Sequence, residues 1–159
     1  MFLEKMYLVA FVVCFMLGAV FAEKAPDFSL KDVNGIVFNL SAYKGKIVFL
    51  DFWTTWCPPC RVAIPAVKEL HKTKATNPNV IVLGINVNEK QSTVERFVKS
   101  NGINYNVLLG NDQICKDYKV NAFPLFLIID TNGEIIARYV GYSPGLEKEW
   151  GNAIDKLIK

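Results

Sequence analysis

Two cysteines separated by two prolines lie between a predicted buried strand and a predicted helix. Residues 47–53 form an apolar run rich in β-branched and aromatic side chains, which is typical of a buried strand. From Val62 onward, apolar side chains recur at helical spacing with charges between them. The free N–H groups and positive dipole end of a helix N-terminus favour a thiolate, the reactive form of cysteine. The spacing therefore predicts thiol–disulfide exchange, with Cys60 resolving a mixed disulfide that Cys57 forms.

Other uses of this cysteine pair fit the sequence less well. A structural zinc site would need a second pair of ligands, and the remaining candidates are Cys14, Cys115 and His71. Haem attachment requires a histidine directly after the second cysteine, where this chain has Arg61. A purely structural disulfide would close a very small loop and stabilise little. Redox activity is favoured, and no metal and no cofactor other than the Cys57–Cys60 disulfide are expected.

Composition limits the number of domains and the kinds of partner. The 159 residues allow one domain and, at most, a leader. A hydrophobic share of 52% and a charged share of 21% suffice for a packed core. The net charge of +3 indicates no particular partner, and basic residues do not cluster with aromatic ones, so a nucleic-acid ligand is not expected. A monomer is expected.

The first 22 residues have the pattern of a targeting segment. An apolar run over residues 6–22 follows Lys5 and ends at Val20-Phe21-Ala22, which resembles a cleavage site. At ~1.5 Å per residue the run could just span a membrane if it stays uncut. Residues 1–22 are therefore predicted to be a signal peptide or a membrane anchor, and residues 23–159 a single domain. Either alternative puts the domain outside the cytoplasm, as a secreted or anchored protein in the periplasm or at the outer face of the membrane, where disulfide chemistry is possible.

The rest of the chain alternates between strand and helix patterns. Turn signals, apolar runs and a capping box predict the following elements: an N-terminal hairpin around residues 32–35, a strand over 80–86, a helix from Ser92 to about Ser100, a short strand over 105–109, a helical turn over 113–118, strands over 125–129 and 135–140, and a last helix that begins at Ser143-Pro144. This order predicts an α/β fold with a central mixed β-sheet flanked by helices and an N-terminal β-hairpin extension.

These features together resemble one known family. The matching segments are Ala25-Pro26-Asp27-Phe28-Ser29-Leu30, residues 40–46, Phe52-Trp53 with the cysteine motif, Asn86-Val87-Asn88-Glu89, Tyr118, Val120, Pro124 and residues 130–133. On them the chain is similar to the TlpA/ResA-like thiol–disulfide oxidoreductases of the thioredoxin fold, over nearly all of residues 25–159. The resemblance implies an extracytoplasmic reductant of protein disulfides, often one that serves cytochrome c maturation. Apocytochrome c is then a candidate substrate, and a membrane thiol–disulfide transporter the electron donor.

The resemblance also implies roles for residues outside the cysteine pair. Pro124 matches a cis-proline that faces the motif and helps to position a bound peptide. Glu89 matches an acid near the cysteines that assists proton transfer, so Glu89→Gln is expected to slow disulfide reduction and lower the apparent cysteine pKa. Trp56 is expected to cover the motif. The family often has threonine around its cis-proline, whereas Phe123 precedes Pro124 here and makes the peptide-facing surface more apolar.

The residues between the cysteines bear on the direction of electron flow. Pro58 and Pro59 lack an N–H group, so the backbone of Cys60 is the main local donor to a Cys57 thiolate. A weakly stabilised dithiol releases electrons readily, which predicts a potential near the reducing end of the range from about −120 to about −270 mV. In the reduced protein, Cys57 is expected to face solvent and Cys60 to be shielded. Cys115 is expected to be a core cysteine, and His71 is expected to lie on the helix surface.

Two other functions stay open as alternatives. A peroxiredoxin-like thiol peroxidase shares the fold, and Thr54 lies three residues before Cys57 as its motif requires, but Leu50 stands where that motif needs proline. A copper chaperone of thioredoxin-like fold would use cysteines spaced by three residues and a distant histidine, and this chain has a two-residue spacing.

Overall fold

The computed structural model describes residues 23–74 and 76–158. The predicted signal peptide or membrane anchor, residues 1–22, lies outside these residues. Among the helices of the described part, none is long and apolar enough to cross a membrane.

Eight strands and four α-helices form the described part of the chain. In chain order they are β1 (Glu23–Lys24), β2 (Ser29–Lys31), β3 (Val37–Asn39), a short 3₁₀ helix (Leu40–Tyr43), β4 (Ile47–Trp53), α1 (Pro58–Lys74), β5 (Val80–Val87), α2 (Gln91–Ser100), β6 (Asn106–Gly110), α3 (Asp112–Asp117), β7 (Leu125–Ile129), β8 (Glu134–Val140) and α4 (Leu146–Asp155).

Strand β4 lies inside a six-stranded sheet with the order β1-β8-β7-β4-β5-β6. It pairs in parallel with β5 on one side and antiparallel with β7 on the other, and all seven of its residues are buried. Strands β2 and β3 form a separate antiparallel pair, which a bridge between Asp32 and Leu108 connects to β6. The predicted mixed sheet and N-terminal hairpin are therefore confirmed, and the chain has a thioredoxin-like fold.

The two faces of β4 pack into different parts of the core. Val48, Leu50 and Phe52 belong to one apolar cluster. Ile47, Phe49 and Trp53 belong to the other, together with apolar residues of α1 and α4. Because side chains alternate along a strand, Asp51 lies on this second face, which is called the α1 face below. The α1 face also includes Cys57 and Cys60, so the cysteine motif is packed against the centre of the sheet.

Two predicted helix starts were wrong. Helix α2 begins at Gln91, after Lys90, and the backbone N–H groups of Thr93 and Val94 donate to the Lys90 carbonyl. Ser92 therefore lies within the first turn and cannot cap it. Helix α4 begins at Leu146. Gly145 has a φ of 103°, a left-handed conformation, so a helix that started at Ser143-Pro144 could not continue through it.

Candidate functional site

The cysteine motif joins the end of β4 to the start of α1. Cys57 precedes the helix and Cys60 lies in its first turn, and the two form a disulfide with an S–S distance of 2.06 Å and a Cα–Cα distance of 5.3 Å. The backbone N–H of Cys60 donates to Cys57 Sγ at 3.2 Å. Pro58 and Pro59 have no N–H group to add. The local donor predicted from the sequence is therefore present.

Both cysteines are buried in the disulfide form, with 4% of Cys57 and 2% of Cys60 exposed. Their exposure does not distinguish them, so the expected difference in the reduced protein stays a prediction. Trp56, by contrast, is 68% exposed directly before Cys57. An exposed indole beside a buried disulfide is a surface on which a substrate can dock before the sulfur atoms react.

The Phe123–Pro124 segment lies against Trp56. The rings of Trp56 and Phe123 meet edge to face, with centroids 6.4 Å apart and planes at 86°. The peptide bond between Phe123 and Pro124 is cis, as the family resemblance implies. Pro124 is buried, and its carbonyl accepts a hydrogen bond from the N–H of Gly141 at 2.8 Å. The structure thus brings together the three residues predicted to bind substrate.

Glu89 connects the turn after β5 to the loop that leads into the motif. Its Oε2 accepts hydrogen bonds from the Thr55 N–H at 2.6 Å and from Asn86 Nδ2 at 2.8 Å. Its Oε1 accepts a hydrogen bond from the Thr55 hydroxyl. Thr55 lies two residues before Cys57, so the half-buried carboxylate positions the loop that carries Trp56 and Cys57.

The turn that presents Glu89 depends on Asn88. This residue has a φ of 57°, in the left-handed region that asparagine tolerates better than most residues. Its N–H donates to the Gly110 carbonyl at 3.1 Å, and its side-chain amide donates to Asp112. The turn is thereby fastened to β6 and α3, and Glu89 is directed towards Thr55.

Glu89→Gln is expected to lower the free energy of unfolding by about 1–3 kcal/mol while the protein remains folded. All three partners donate to the carboxylate, and a glutamine would present an NH₂ group to at least one of them. Chemical unfolding of the oxidised protein measures the change. Glu95→Gln on the exposed face of α2 is the matched control, and equal stability of the two variants would contradict the positioning role.

The sequence analysis missed a buried acid, Asp51. It is 2% exposed in the middle of β4, on the same face as the two cysteines. Burial raises the pKa of its carboxyl from 3.8 to about 7, against an opposing effect from the Tyr105 hydroxyl, which donates to Oδ2 at 3.4 Å. Within the described residues, its Oδ1 has no hydrogen-bond partner. A lone acid inside a run predicted to be a buried strand is the signal that could have identified it.

Two other predicted positions differ from the structure. Cys115 on α3 is half-buried, so its interpretation as a core cysteine is only partly correct, and burial and then Asp112 raise the pKa of its thiol. His71 was expected on the helix surface but is half-buried, with its ring centroid 6.3 Å from that of Tyr105. Burial lowers the pKa of His71.

Comparison with known proteins agrees with this geometry. Residues 21–138 match the AhpC/TSA family. The chain is 39% identical over 112 residues to the thiol-disulfide oxidoreductase ResA of Geobacillus kaustophilus, covering 70% of this chain and 64% of the relative. It is 37% identical over 133 residues to ResA of Bacillus subtilis, covering 78% and 74%. A putative thiol:disulfide interchange protein DsbE from Chlorobium tepidum superposes with a TM-score of 0.80 and 28% identity, covering 87% of this chain and 97% of that one.

The cysteine motif, the cis-proline segment and the shared sequence lead to one family. A disulfide between two cysteines of a thioredoxin-like fold, at a helix N-terminus, can be opened by an attacking thiolate and closed again. The two ResA relatives are named thiol-disulfide oxidoreductases, which is the class of reaction that such a disulfide can perform. The chain therefore belongs to the AhpC/TSA family and, within it, to the ResA-like thiol–disulfide oxidoreductases of the thioredoxin fold.

Proposed function

We propose that this protein reduces disulfides in protein substrates outside the cytoplasm. The observation that carries the proposal is the Cys57–Cys60 disulfide at the start of α1, beside the exposed Trp56. The Cys57 thiolate attacks a substrate disulfide, forms a mixed disulfide and releases one substrate thiolate. The Cys60 thiolate then attacks Cys57 Sγ, releases the second substrate thiolate and restores the protein disulfide. Two electrons pass to the substrate in each cycle.

Proton transfer belongs to the second step. Cys60 must lose its proton before it attacks the mixed disulfide, and Glu89 is the group we assign to assist this loss. Its hydrogen bonds to Thr55 support the assignment, because they hold the carboxylate beside the loop that ends at Cys57.

The surroundings of the sulfur atoms support a reducing direction. The Cys60 N–H is the one backbone donor that the structure provides to Cys57 Sγ among the described residues. Arg61, the cationic residue directly after Cys60, places its guanidinium over the Phe97 ring, 5.8 Å from the ring centroid, so its charge is engaged in a cation–π contact. A thiolate with little local stabilisation leaves the dithiol a good electron donor, so we expect a potential close to that of thioredoxin, about −270 mV.

We infer the partners from the predicted leader, the family and the surface around the motif. The apolar pair of Trp56 and Phe123 suits an unfolded or extended polypeptide with an apolar residue beside its cysteine. Apocytochrome c is a candidate for such a substrate. A membrane thiol–disulfide transporter would return the disulfide to its dithiol form, and the apolar run over residues 6–22 supports a location outside the cytoplasm, secreted or anchored.

The redox potential of the purified protein tests the direction. Trp56 is next to Cys57, so its fluorescence should report the state of the disulfide during equilibration with dithiothreitol or glutathione buffers. We expect dithiothreitol to reduce the protein and glutathione buffers near −200 mV to leave it oxidised. Reduction by those glutathione buffers would overturn the reductase proposal and indicate a disulfide donor.

The alternative functions can be measured on the same sample. Leu50 lies fully buried in β4, at the position where a peroxiredoxin motif requires proline. Catalytic consumption of hydrogen peroxide would favour the peroxidase, and stoichiometric binding of copper(I) would favour the chaperone. We expect neither at the rate or affinity that such functions require.

A further inference from the structure

The two edges of the six-stranded sheet differ in how they are covered. At the β6 edge, the N-terminal hairpin is joined to the sheet by the bridge between Asp32 and Leu108. At the opposite edge, β1 pairs only with Glu134 and Ile135 of β8. Within the described residues, no strand pairs with the outer side of β8 over residues 136–140. This part of β8 is called the open edge below.

The open edge presents unpaired backbone groups. Val140 is the register partner of Leu125 on β7, and the N–H of the next residue, Gly141, donates to the Pro124 carbonyl at 2.8 Å. In an antiparallel ladder this arrangement leaves the N–H and C=O of Val140 pointing away from β7. Because the arrangement alternates along the strand, the N–H and C=O of Arg138 point the same way. The backbone groups of two residues are therefore available to an added strand.

The side chains of the open edge are apolar and basic. Val140 is 65% exposed, and Arg138 is exposed with its guanidinium donating to the Tyr118 carbonyl at 3.0 Å. Of the ion pairs in the described residues, none includes Arg138, and the acid Glu23 on β1 is paired with Lys119 instead. A strand that complements this edge carries an apolar residue opposite Val140 and an acidic residue opposite Arg138.

The open edge ends at the same end of the sheet as the cysteine motif. Cys57 follows β4, and β8 lies two strands away from β4, with β7 between them. At about 4.8 Å between neighbouring strands this separation is about 10 Å. An extended chain crosses it in about three residues. A polypeptide whose cysteine is joined to Cys57 can therefore lay its following residues along the open edge.

We propose that the open edge binds the protein substrate, which adds one antiparallel strand there. This inference rests on the proposed function, because the added strand belongs to the polypeptide whose disulfide is reduced. An antiparallel strand meets Val140 before Arg138, so the substrate pattern is apolar, any residue, acidic, beginning about three residues after the cysteine. Backbone hydrogen bonds supply the affinity, and the contacts with Val140 and Arg138 supply the selectivity.

The first test needs no redox chemistry. A cysteine-free synthetic peptide with valine, threonine and glutamate at its centre is added to the oxidised full chain in mild detergent, and amide hydrogen exchange is followed residue by residue. Exchange at Arg138 and Val140 should slow by at least about tenfold. Tyr139 is the internal control, because its N–H points to β7 and its exchange should not change.

Two results of this experiment would overturn the proposal. One is unchanged exchange at Arg138 and Val140 when the peptide is present. The other is slow exchange at both residues before the peptide is added. A dependence of that slow exchange on protein concentration would indicate pairing with a second copy of the chain, and its absence would indicate that residues before Glu23 cover the edge.

A charge exchange tests the selectivity. Arg138→Glu should weaken binding of the glutamate peptide by at least about tenfold and strengthen binding of a peptide with lysine in place of glutamate. Loss of the hydrogen bond to the Tyr118 carbonyl could weaken binding of both peptides, but it cannot reverse their order. Equal affinities of the two peptides for wild type would contradict the contact with Arg138.

The last test connects the open edge to the reaction, with a disulfide-bonded substrate that carries the pattern. Val140→Lys should raise KM by about tenfold and leave kcat unchanged. Val37→Lys is the matched control, because Val37 is an exposed apolar residue of β3, and it should keep the wild-type KM. An unchanged KM in Val140→Lys would overturn the assignment of the edge to substrate. Failure of the proposed function would instead show as no reduction by wild type while the peptide still binds.

Discussion

Asp51→Asn is expected to raise the free energy of unfolding of the oxidised protein by about 4 kcal/mol at pH 8 and above. The carboxyl has a pKa of 3.8 in the unfolded chain and about 7 in the folded one, because burial disfavours its charged form. Each pKa unit corresponds to about 1.4 kcal/mol, and the difference of about three units gives the expected effect. Asparagine has nearly the same shape and no charge to bury.

The sign of the pH dependence follows from proton binding. Between pH 4 and pH 7 the unfolded chain has lost the Asp51 proton while the folded protein retains it, so stability falls as the pH rises. Above pH 7 the carboxyl is ionised in both states, and the free energy of unfolding is lowered by the full amount. Below pH 4 both are neutral, so wild type and Asp51→Asn should be nearly equally stable. The variant should therefore lack most of the decline between pH 4 and pH 7.

Urea unfolding at pH 4, 6 and 8 measures this difference, and Asp32→Asn is the matched control. Asp32 is also buried, with 3% exposed, but its carboxylate accepts hydrogen bonds from the backbone N–H groups of Asn34 and Ile36, both at 2.8 Å. An asparagine there could keep one oxygen for those two donors, but its NH₂ group would replace Oδ2, which accepts a hydrogen bond from Asn34 Nδ2 at 3.3 Å, and the charge that strengthens these bonds would be lost, so stability at pH 8 should fall. A loss of stability in Asp51→Asn at pH 8 would contradict the conclusion that the Asp51 charge is buried without a partner that offsets the cost of its burial.

The central strands and the cysteine motif could be predicted because their signals are local. Residues 47–53 and 80–86 are apolar runs bounded by polar turns, and such runs form buried strands wherever the sheet places them. Helix starts were harder to predict, since several residues compete to be the cap. Ser92 followed by Glu95 has the capping pattern, yet the chain begins α2 one residue earlier and leaves Ser92 exposed in the first turn.

The residues of the functional site also differ in how far the sequence could predict them. Cys57, Cys60 and Pro124 stand in short recognisable motifs, so the sequence could locate them. Tyr105 and Asp51 are 54 residues apart, and their contact depends on the missing side chain of Gly84 on the strand between them. No local pattern contains that information. The hydrogen bonds of Glu89 to Thr55 likewise join a turn to a loop 34 residues away.

Exchanging each cysteine of the motif for serine should have opposite effects on trapping and similar effects on turnover. Cys57→Ser is expected to lower the rate of protein disulfide reduction by at least about 1,000-fold, because a hydroxyl at this position is not ionised at neutral pH and cannot open a disulfide. Cys60→Ser leaves the attacking thiolate in place but removes the resolving one. It should therefore stop after the first step and accumulate a mixed disulfide with the substrate.

Non-reducing electrophoresis and mass spectrometry distinguish the two variants after incubation with a disulfide-bonded protein such as insulin. A substrate-linked adduct should form on Cys57 in Cys60→Ser and be absent from Cys57→Ser. Cys115→Ser serves as the control, because the Cys115 thiol is half-buried on α3 and its pKa is raised. That variant should keep the wild-type rate. An adduct that forms on Cys60 in Cys57→Ser, at a rate similar to that of the other variant, would contradict the assignment of Cys57 as the attacking cysteine. Both are almost equally buried in the disulfide form, so the physical reason for the assignment is that Cys57 directly precedes the N-terminus of α1 whereas Cys60 lies inside its first turn.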